Sequence, residues 1–368
     1  MEIGILLLHG TKKPVSSLSY LSNTQRSSHM ASTPTNSWLA FDIGGANIKA
    51  ADGQGWSHSE PFAMWQEWKR LSDVVRHIQS LHPATHYAVT MTGEIADCFP
   101  ERNDGVKHIV QSCSLATGSN DISFYSVTGC LVNAHEAVRH PLHVAASNWH
   151  ALARLAGSLV PSGNSLVIDI GSTTTDIVPL SCGKPAAQGL TDWDRLACGE
   201  LIYTGMERTP LPTLVDTLPY QGTMRPLARE WFATTQDAWL LLGYLKEDSQ
   251  SVNTADGKPA TQDAARVRMA RTMLLEPSAF TLADAVEAAE TIAASQTILI
   301  KNALDPIMRH LQKENYIVLS GQGEILANKV LSHMNWEPQI ISLKEAYGDD
   351  VSRVAPAHAV ALIAQQIL

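Results

Sequence analysis

The chain has 368 residues, 45% of them apolar and 17% charged, with a formal net charge of −9 at neutral pH. That length and apolar content are enough for two ordinary domains with their own cores, which excludes disorder as the dominant state. The acidic balance without a long Lys/Arg cluster argues against a nucleic-acid surface, no run of 18 apolar residues marks a membrane span, and Cys98, Cys113, Cys130, Cys182 and Cys198 without CxxC pairing read as reduced thiols of a cytoplasmic protein.

Residues 1–10 carry a short apolar run with no basic segment before it and no clear cleavage site after it, so a signal peptide is not expected. Residues 11–37 are rich in Ser, Thr, Asn and Pro, and 1–37 is read as a disordered or artefactual extension, with Met30 as an alternative start. Trp38–Phe41 then reads as a strand running into Asp42, followed by a Gly turn and a returning strand, Asn47–Ala51. Over 63–82, Met64, Trp65, Trp68, Leu71, Val74, Val75, Ile78 and Leu81 recur at spacings of three and four, which predicts one amphipathic helix.

A strand at Tyr87–Met91 ends in Thr92-Gly93-Glu94, and after it the pattern predicts a helix around 102–112, strands near 123–126 and 129–132, and a helix at Ala145–Leu159. The opening arrangement then recurs: Ser165–Ile170 is an apolar strand carrying Asp169, followed by Gly171, three threonines and a returning Ile177-Val178. Residues 191–263, broken by Pro, Asp and Gly, are expected to form an inserted subdomain. Helices are expected at Thr261–Leu275 and Leu282–Gln312, then a strand Tyr316–Leu319, a turn Ser320–Glu324 with a helix after it, and a last helix from Pro356. The predicted division is a first α/β lobe at 38–160 and a second at 161–368, with the insertion at about 191–263.

In the first hairpin the glycines of Asp42-Ile43-Gly44-Gly45-Ala46-Asn47-Ile48-Lys49 allow a tight turn whose N–H groups form a nest for phosphate oxygens. Gly44, Gly45 and Asn47 are its candidate phosphate contacts, Lys49 reaches the same anion as a point charge, and Asp42 is placed to hold a hydrated Mg²⁺. An ordinary Gly-Gly hairpin with a solvated Asp is the bland alternative. The second hairpin repeats the design with Asp169, Gly171, Ser172, Thr173 and Thr174, and Asp176 joins Asp42 and Asp169 as a candidate metal ligand. Two such hairpins on matching strands suggest a paired phosphate clamp. Gly321 and Gly323 let a third turn approach a ligand closely. Hairpin, hairpin and late Gly-x-Gly turn follow the order of the two-lobed actin, Hsp70 and sugar-kinase (ribonuclease H-like) α/β superfold, whose ATP-using members seat adenosine at the third element. The histidines show no HExxH motif, so no zinc site is evident.

The strings Asp42–Lys49, Met91–Ile95, Ser147–Trp149, Asp169–Asp176 and Asp192–Tyr203 resemble the tetrahydromethanopterin-linked C1-transfer pathway proteins. That family is related to the hydantoinase/oxoprolinase group, and its archaeal members resemble the condensing enzyme of methanofuran biosynthesis. The resemblance runs from about residue 38 to the end. It implies a transferase that joins an aminomethylfuran-methyl diphosphate to the phenol oxygen of γ-glutamyltyramine, releasing pyrophosphate with Mg²⁺. It makes Asp192, Asp194 and Glu200 candidate polar groups at the phenol end of the cleft, with Asp192 in a catalytic role, and Asp256 a candidate contact, although Asp256-Gly257 is most simply a turn. Arg195 and Arg208 could pair with the diphosphate or a substrate carboxylate, or end in surface ion pairs. The partners implied are small molecules, with no nucleic acid or membrane, and a homodimer is compatible. Two alternatives stay open: an ATP-dependent kinase or hydantoinase-type amidohydrolase, with ATP beside Gly321–Glu324, and a nucleotide-binding module without turnover.

Overall fold

A computed structural model describes residues 37–118, 121–309, 316–334 and 338–367. The expectations for residues 1–36, Met30 included, lie outside the described residues. Strands β1 (Trp38–Ile43), β2 (Asn47–Ala51) and β3 (Ser57–Pro61) form an antiparallel meander. Strands β4 (His86–Met91) and β5 (Ile122–Tyr125) add in parallel, and β6 (Leu131–Val132) closes the edge, giving the order β3-β2-β1-β4-β5-β6. Leu39 to Ile43 of β1 are all buried, as expected for a central strand covered on both faces.

The second sheet is built the same way. Strands β7 (Asn164–Ile170) and β8 (Thr175–Ser181) make the hairpin, β9 (Lys184–Pro185) pairs with β8, and β10 (Leu201–Ile202) lies on the outer side of β8. A separate hairpin, β11 (Thr217–Tyr220) and β12 (Thr223–Pro226), belongs to the inserted region. Strands β13 (Tyr316–Ser320) and β14 (Gln339–Ser342) complete the order β10-β8-β7-β13-β14, with β13 parallel to both neighbours. Both sheets thus place a hairpin beside parallel strands in the ribonuclease H-like order, and the chain has the two-lobed α/β superfold of actin, Hsp70 and sugar kinases.

One core joins the two sheets. Helices Asn148–Leu159 and Ala355–Ala364 pack on each other, and their Trp149, Leu152, Leu155 and Val360 cluster with Ala40 and Ala88 of the first sheet and Val167, Val178 and Val318 of the second. The last helix also lies against β1 and β4, so an element late in the chain covers the first sheet. The helix expected over 63–82 is instead broken into Met64–Glu67, a 3-10 turn at Trp68–Arg70 and Leu71–Leu81. Trp68 explains the break: its ring packs edge-on against Phe99 and His108, and its carbonyl is hydrogen-bonded to His108 Nε2 at 2.8 Å.

The inserted region has its own core of Leu211, Leu218, Tyr220, Leu240, Met269 and Phe280, closed by Ala285, Ala288 and Ile292 of the long helix Leu282–Met308. This core starts after β10, which is part of the main sheet, and continues past residue 263.

Candidate active site between two hairpins

The two turns close identically. Gly44 N–H donates to the Asn47 carbonyl at 3.0 Å, and Gly171 N–H donates to the Thr174 carbonyl at 2.9 Å. Each turn is also held from outside, the first by Phe62 and Met64 N–H groups on the Ala46 and Gly45 carbonyls, the second by Met206, Glu207 and Arg208 N–H groups on the Gly171 and Ser172 carbonyls. Gly205 makes the second support possible, because a Cβ there would sit 2.6 Å from the Gly171 carbonyl oxygen.

Asp42 is 5% exposed, and its Oδ1 has no hydrogen-bond partner. Burial raises its carboxyl above the ordinary range, against the opposing pull of Lys49, its cross-strand partner. Asp169 is pushed up to about 6 by burial and then by Asp176, while Ser320 and Lys49 lower it and Asp42 raises it. Asp169 is thus within electrostatic reach of both Asp42 and Lys49 of the first hairpin.

The third turn forms part of the same structure. Gly323 N–H donates to the Ile170 carbonyl at 3.0 Å, and Gly321 has φ +83° with its α-carbon face pressed against the second hairpin. A Cβ on Gly321 would lie 2.3 Å from the Ile170 carbonyl oxygen and 2.7 Å from Asp169 Oδ1. Glu324, at the start of the following helix, is turned to Ser342, whose hydroxyl donates to it at 2.8 Å.

The far wall combines residues from both lobes. Asp192, at the start of helix Asp192–Cys198 and 24% exposed at its side chain, accepts from Arg102 Nη2 at 3.0 Å. Arg102 also stands 3.8 Å from Glu94, which is fully buried and has no hydrogen bond on either carboxylate oxygen. Burial pushes Glu94 up to about 7, with Arg102 opposing and Asp192 adding to the shift. Sequence reading carried Glu94 only within the Met91–Ile95 string and did not find Arg102.

Other expected contacts have different partners. Asp176 is tied to Arg195 at 2.7 Å, so the carboxylate expected to bind metal beside Asp169 already compensates a buried guanidinium. Arg195 also donates to the Glu200 carbonyl at 2.9 Å and lies 4.1 Å from the Trp149 ring centroid, buried where a surface ion pair was expected. The Glu200 carboxylate, 2% exposed, accepts from the Gln188 and Gly189 N–H groups and fixes a loop. Asp256 lies in the inserted region, clasped by Arg268 at 3.0 Å and Arg271 at 3.1 Å. Asp194 closes the helix start with Thr191. Among the described residues no group of three or more His, Cys, Asp or Glu is arranged to hold a metal ion by itself, and no helix is long and apolar enough to cross a membrane.

Comparison with known proteins adds the family. The hydantoinase/oxoprolinase model matches residues 85–367. A curated relative from Methanocaldococcus jannaschii is 31% identical over 333 residues, covering 90% of this chain and 98% of its own length. A second, from Methanococcus vannielii, is 34% identical over 204 residues, covering 54% of this chain and 90% of its own. Both are named (4-{4-[2-(γ-L-glutamylamino)ethyl]phenoxymethyl}furan-2-yl)methanamine synthase. A similar solved structure is a ROK family glucokinase from Streptomyces griseus with glucose and AMPPNP, at 14% identity and a TM-score of 0.45, covering 90% of this chain and all of that one. On its family match and its near full-length relative, the chain belongs to the hydantoinase/oxoprolinase family.

Proposed function

We propose that the protein condenses an aminomethylfuran-methyl diphosphate with the phenol oxygen of γ-glutamyltyramine, releasing pyrophosphate, as a step of methanofuran biosynthesis. The observation that carries this reading is the pair of identically closed turns, each following a strand that carries an aspartate, Asp42 or Asp169. The product in the relatives' name contains a phenoxymethyl-furan ether, the bond such a condensation forms. In that step the carbon–oxygen bond of the diphosphate ester breaks and pyrophosphate leaves with the electron pair. The phenol oxygen bonds to the furan methylene and gives up its proton.

Pyrophosphate leaves readily only when its developing charge is neutralised. Gly45, Asn47 and Lys49 on one side, and Ser172, Thr173 and Thr174 on the other, are the groups assigned to hold it, whereas the N–H groups of Gly44 and Gly171, expected to contact phosphate, are used in closing their turns. Asp42 and Asp169 suit Mg²⁺: they are hard oxygen donors, and Asp42 has a buried oxygen without a partner. A cation that keeps waters and phosphate oxygens needs only one or two protein carboxylates. Bound there, Mg²⁺ would supply charge neutralisation of the leaving group. Asp192, partly exposed beside Arg102, is assigned as proton acceptor for the phenol.

The test is incubation with Mg²⁺ and both organic substrates, with and without ATP. The expected result is pyrophosphate release that requires both substrates and ignores ATP. Strict dependence on ATP, with ADP accumulating in step with product, would replace this reading by phosphoryl transfer.

A further inference from the structure

The cations around the cleft are not equally committed. Arg195 is bound to Asp176 and Arg102 to Asp192. Arg208 is exposed and makes no ion pair among the described residues. Its guanidinium carbon lies 5.2 Å from the ring centroid of Trp65.

The chain on either side of that contact explains its position. Arg208 N–H donates to the Ser172 carbonyl at 3.1 Å, so its backbone is bound to the second phosphate turn. Trp65 follows Met64, whose N–H donates to the Gly45 carbonyl of the first turn at 2.9 Å. The stacked pair therefore bridges the flanks of the two hairpins across the cleft. Arg208 also belongs to the same charged neighbourhood as Asp192, Glu94 and Arg102, since all four act on Tyr203.

We propose that Arg208, held ready by Trp65, is a direct ligand of the substrate's diphosphate and a specificity determinant for that group, alongside the two turns. This rests on the condensing reading of the same cleft. A planar guanidinium suits phosphate oxygens by paired N–H donation, and stacking on Trp65 orders it before the anion arrives, which lowers the entropic cost of binding. Arg208 is anchored to one turn through its main chain, and its guanidinium lies over the neighbour of the residue that holds the other turn, so it can contact a diphosphate that touches both.

Calorimetric titration of the full chain with inorganic pyrophosphate and Mg²⁺ tests this without relying on turnover. Arg208→Ala is expected to weaken pyrophosphate binding about tenfold or more, with an unchanged melting temperature because the main-chain bonds to Ser172 remain. Arg208→Lys should recover only part of the loss, and Trp65→Ala should weaken binding less than Arg208→Ala does. Wild-type affinity in Arg208→Ala, or no pyrophosphate binding by the wild type, would overturn the inference. A wild type that binds pyrophosphate through Arg208 yet forms no ether would instead overturn the condensing reaction and leave the Arg208 contact standing.

Discussion

Asp169 stands directly opposite Asp176 across the second hairpin, whereas the matching position opposite Asp42 on the first is Lys49. The two hairpins share a backbone design but carry opposite local charge. Lys49 opposes the rise in Asp42's proton affinity, and Asp176 adds to that of Asp169. Arg195 offsets Asp176 from the far side. Burial raises both carboxylates, and their cross-strand partners act on them in opposite senses.

For Asp169 the native carboxyl titrates near 6, above its ordinary 3.8, mainly because of burial. Between those values the native state holds the proton more tightly than the unfolded chain, so this group's contribution to stability falls as pH rises through the window and stays low above it. Asp169→Asn should therefore keep or raise the melting temperature near pH 8, while turnover falls about a hundredfold or more. Mg²⁺-dependent pyrophosphate binding by the wild type should strengthen as pH rises through about 6, and this step should be smaller in Asp169→Asn, where only the ionisation of pyrophosphate itself remains. A large loss of melting temperature with activity retained would mark Asp169 as a structural carboxylate.

Glu94 offers a cleaner stability measurement, since it is fully buried with neither oxygen hydrogen-bonded and is pushed up to about 7 from 4.5. A rise of that size corresponds to about 3 kcal/mol opposing the folded state once the group is ionised. Glu94→Gln should raise the melting temperature near pH 8, and the gain should shrink as pH falls from about 7 toward 4.5. Thermal unfolding of both proteins across that range is the check, and a pH-independent difference would mean that Glu94 does not ionise as described.

The glycines of the turns differ in the room around their α-carbons. The structure presses Gly321 against Asp169 with a left-handed backbone, whereas a Cβ on Gly171 would meet only the Thr174 carbonyl oxygen at 3.7 Å. Gly321→Ala should cost about 2 kcal/mol or more from backbone strain and overlap and should lower turnover by moving Asp169. Gly171→Ala should change the melting temperature little. Denaturant titrations of the two variants would decide the order.

Asp256 should matter for folding and not for substrate. Arg268 is fully buried between Asp237 and Asp256, so removing one partner leaves a buried charge poorly compensated. Asp256→Ala should lower the melting temperature while leaving KM for both substrates unchanged. A change in KM without loss of stability would return Asp256 to the site.

The hairpins were legible because an Asp-x-Gly turn between apolar runs is a local pattern, and local patterns survive in a linear sequence. The full extent of the insertion was not, because its core is completed by Ala285, Ala288 and Ile292, on a helix that also serves the second lobe. The far wall was hidden for the same reason: Arg102 gains its meaning from Asp192, which folding alone brings beside it. Glu200 and Asp256 were assigned by the family resemblance. Their carboxylates are held by partners distant from any local motif, the Gln188 and Gly189 amides and the Arg268 and Arg271 guanidinium groups.

The helix Ala355–Ala364 comes far later in the sequence than β1 and β4, yet it lies on them. As the chain emerges from a ribosome, the sheet that holds these strands must wait with one apolar face uncovered until that helix has been made. During that interval it is a half-built lobe whose exposed face invites association with other nascent chains or capture by a chaperone. Deleting that helix would accordingly not merely trim the second lobe. It would unroof the first, and the resulting protein should fail by aggregation during synthesis before any loss of catalysis could be measured.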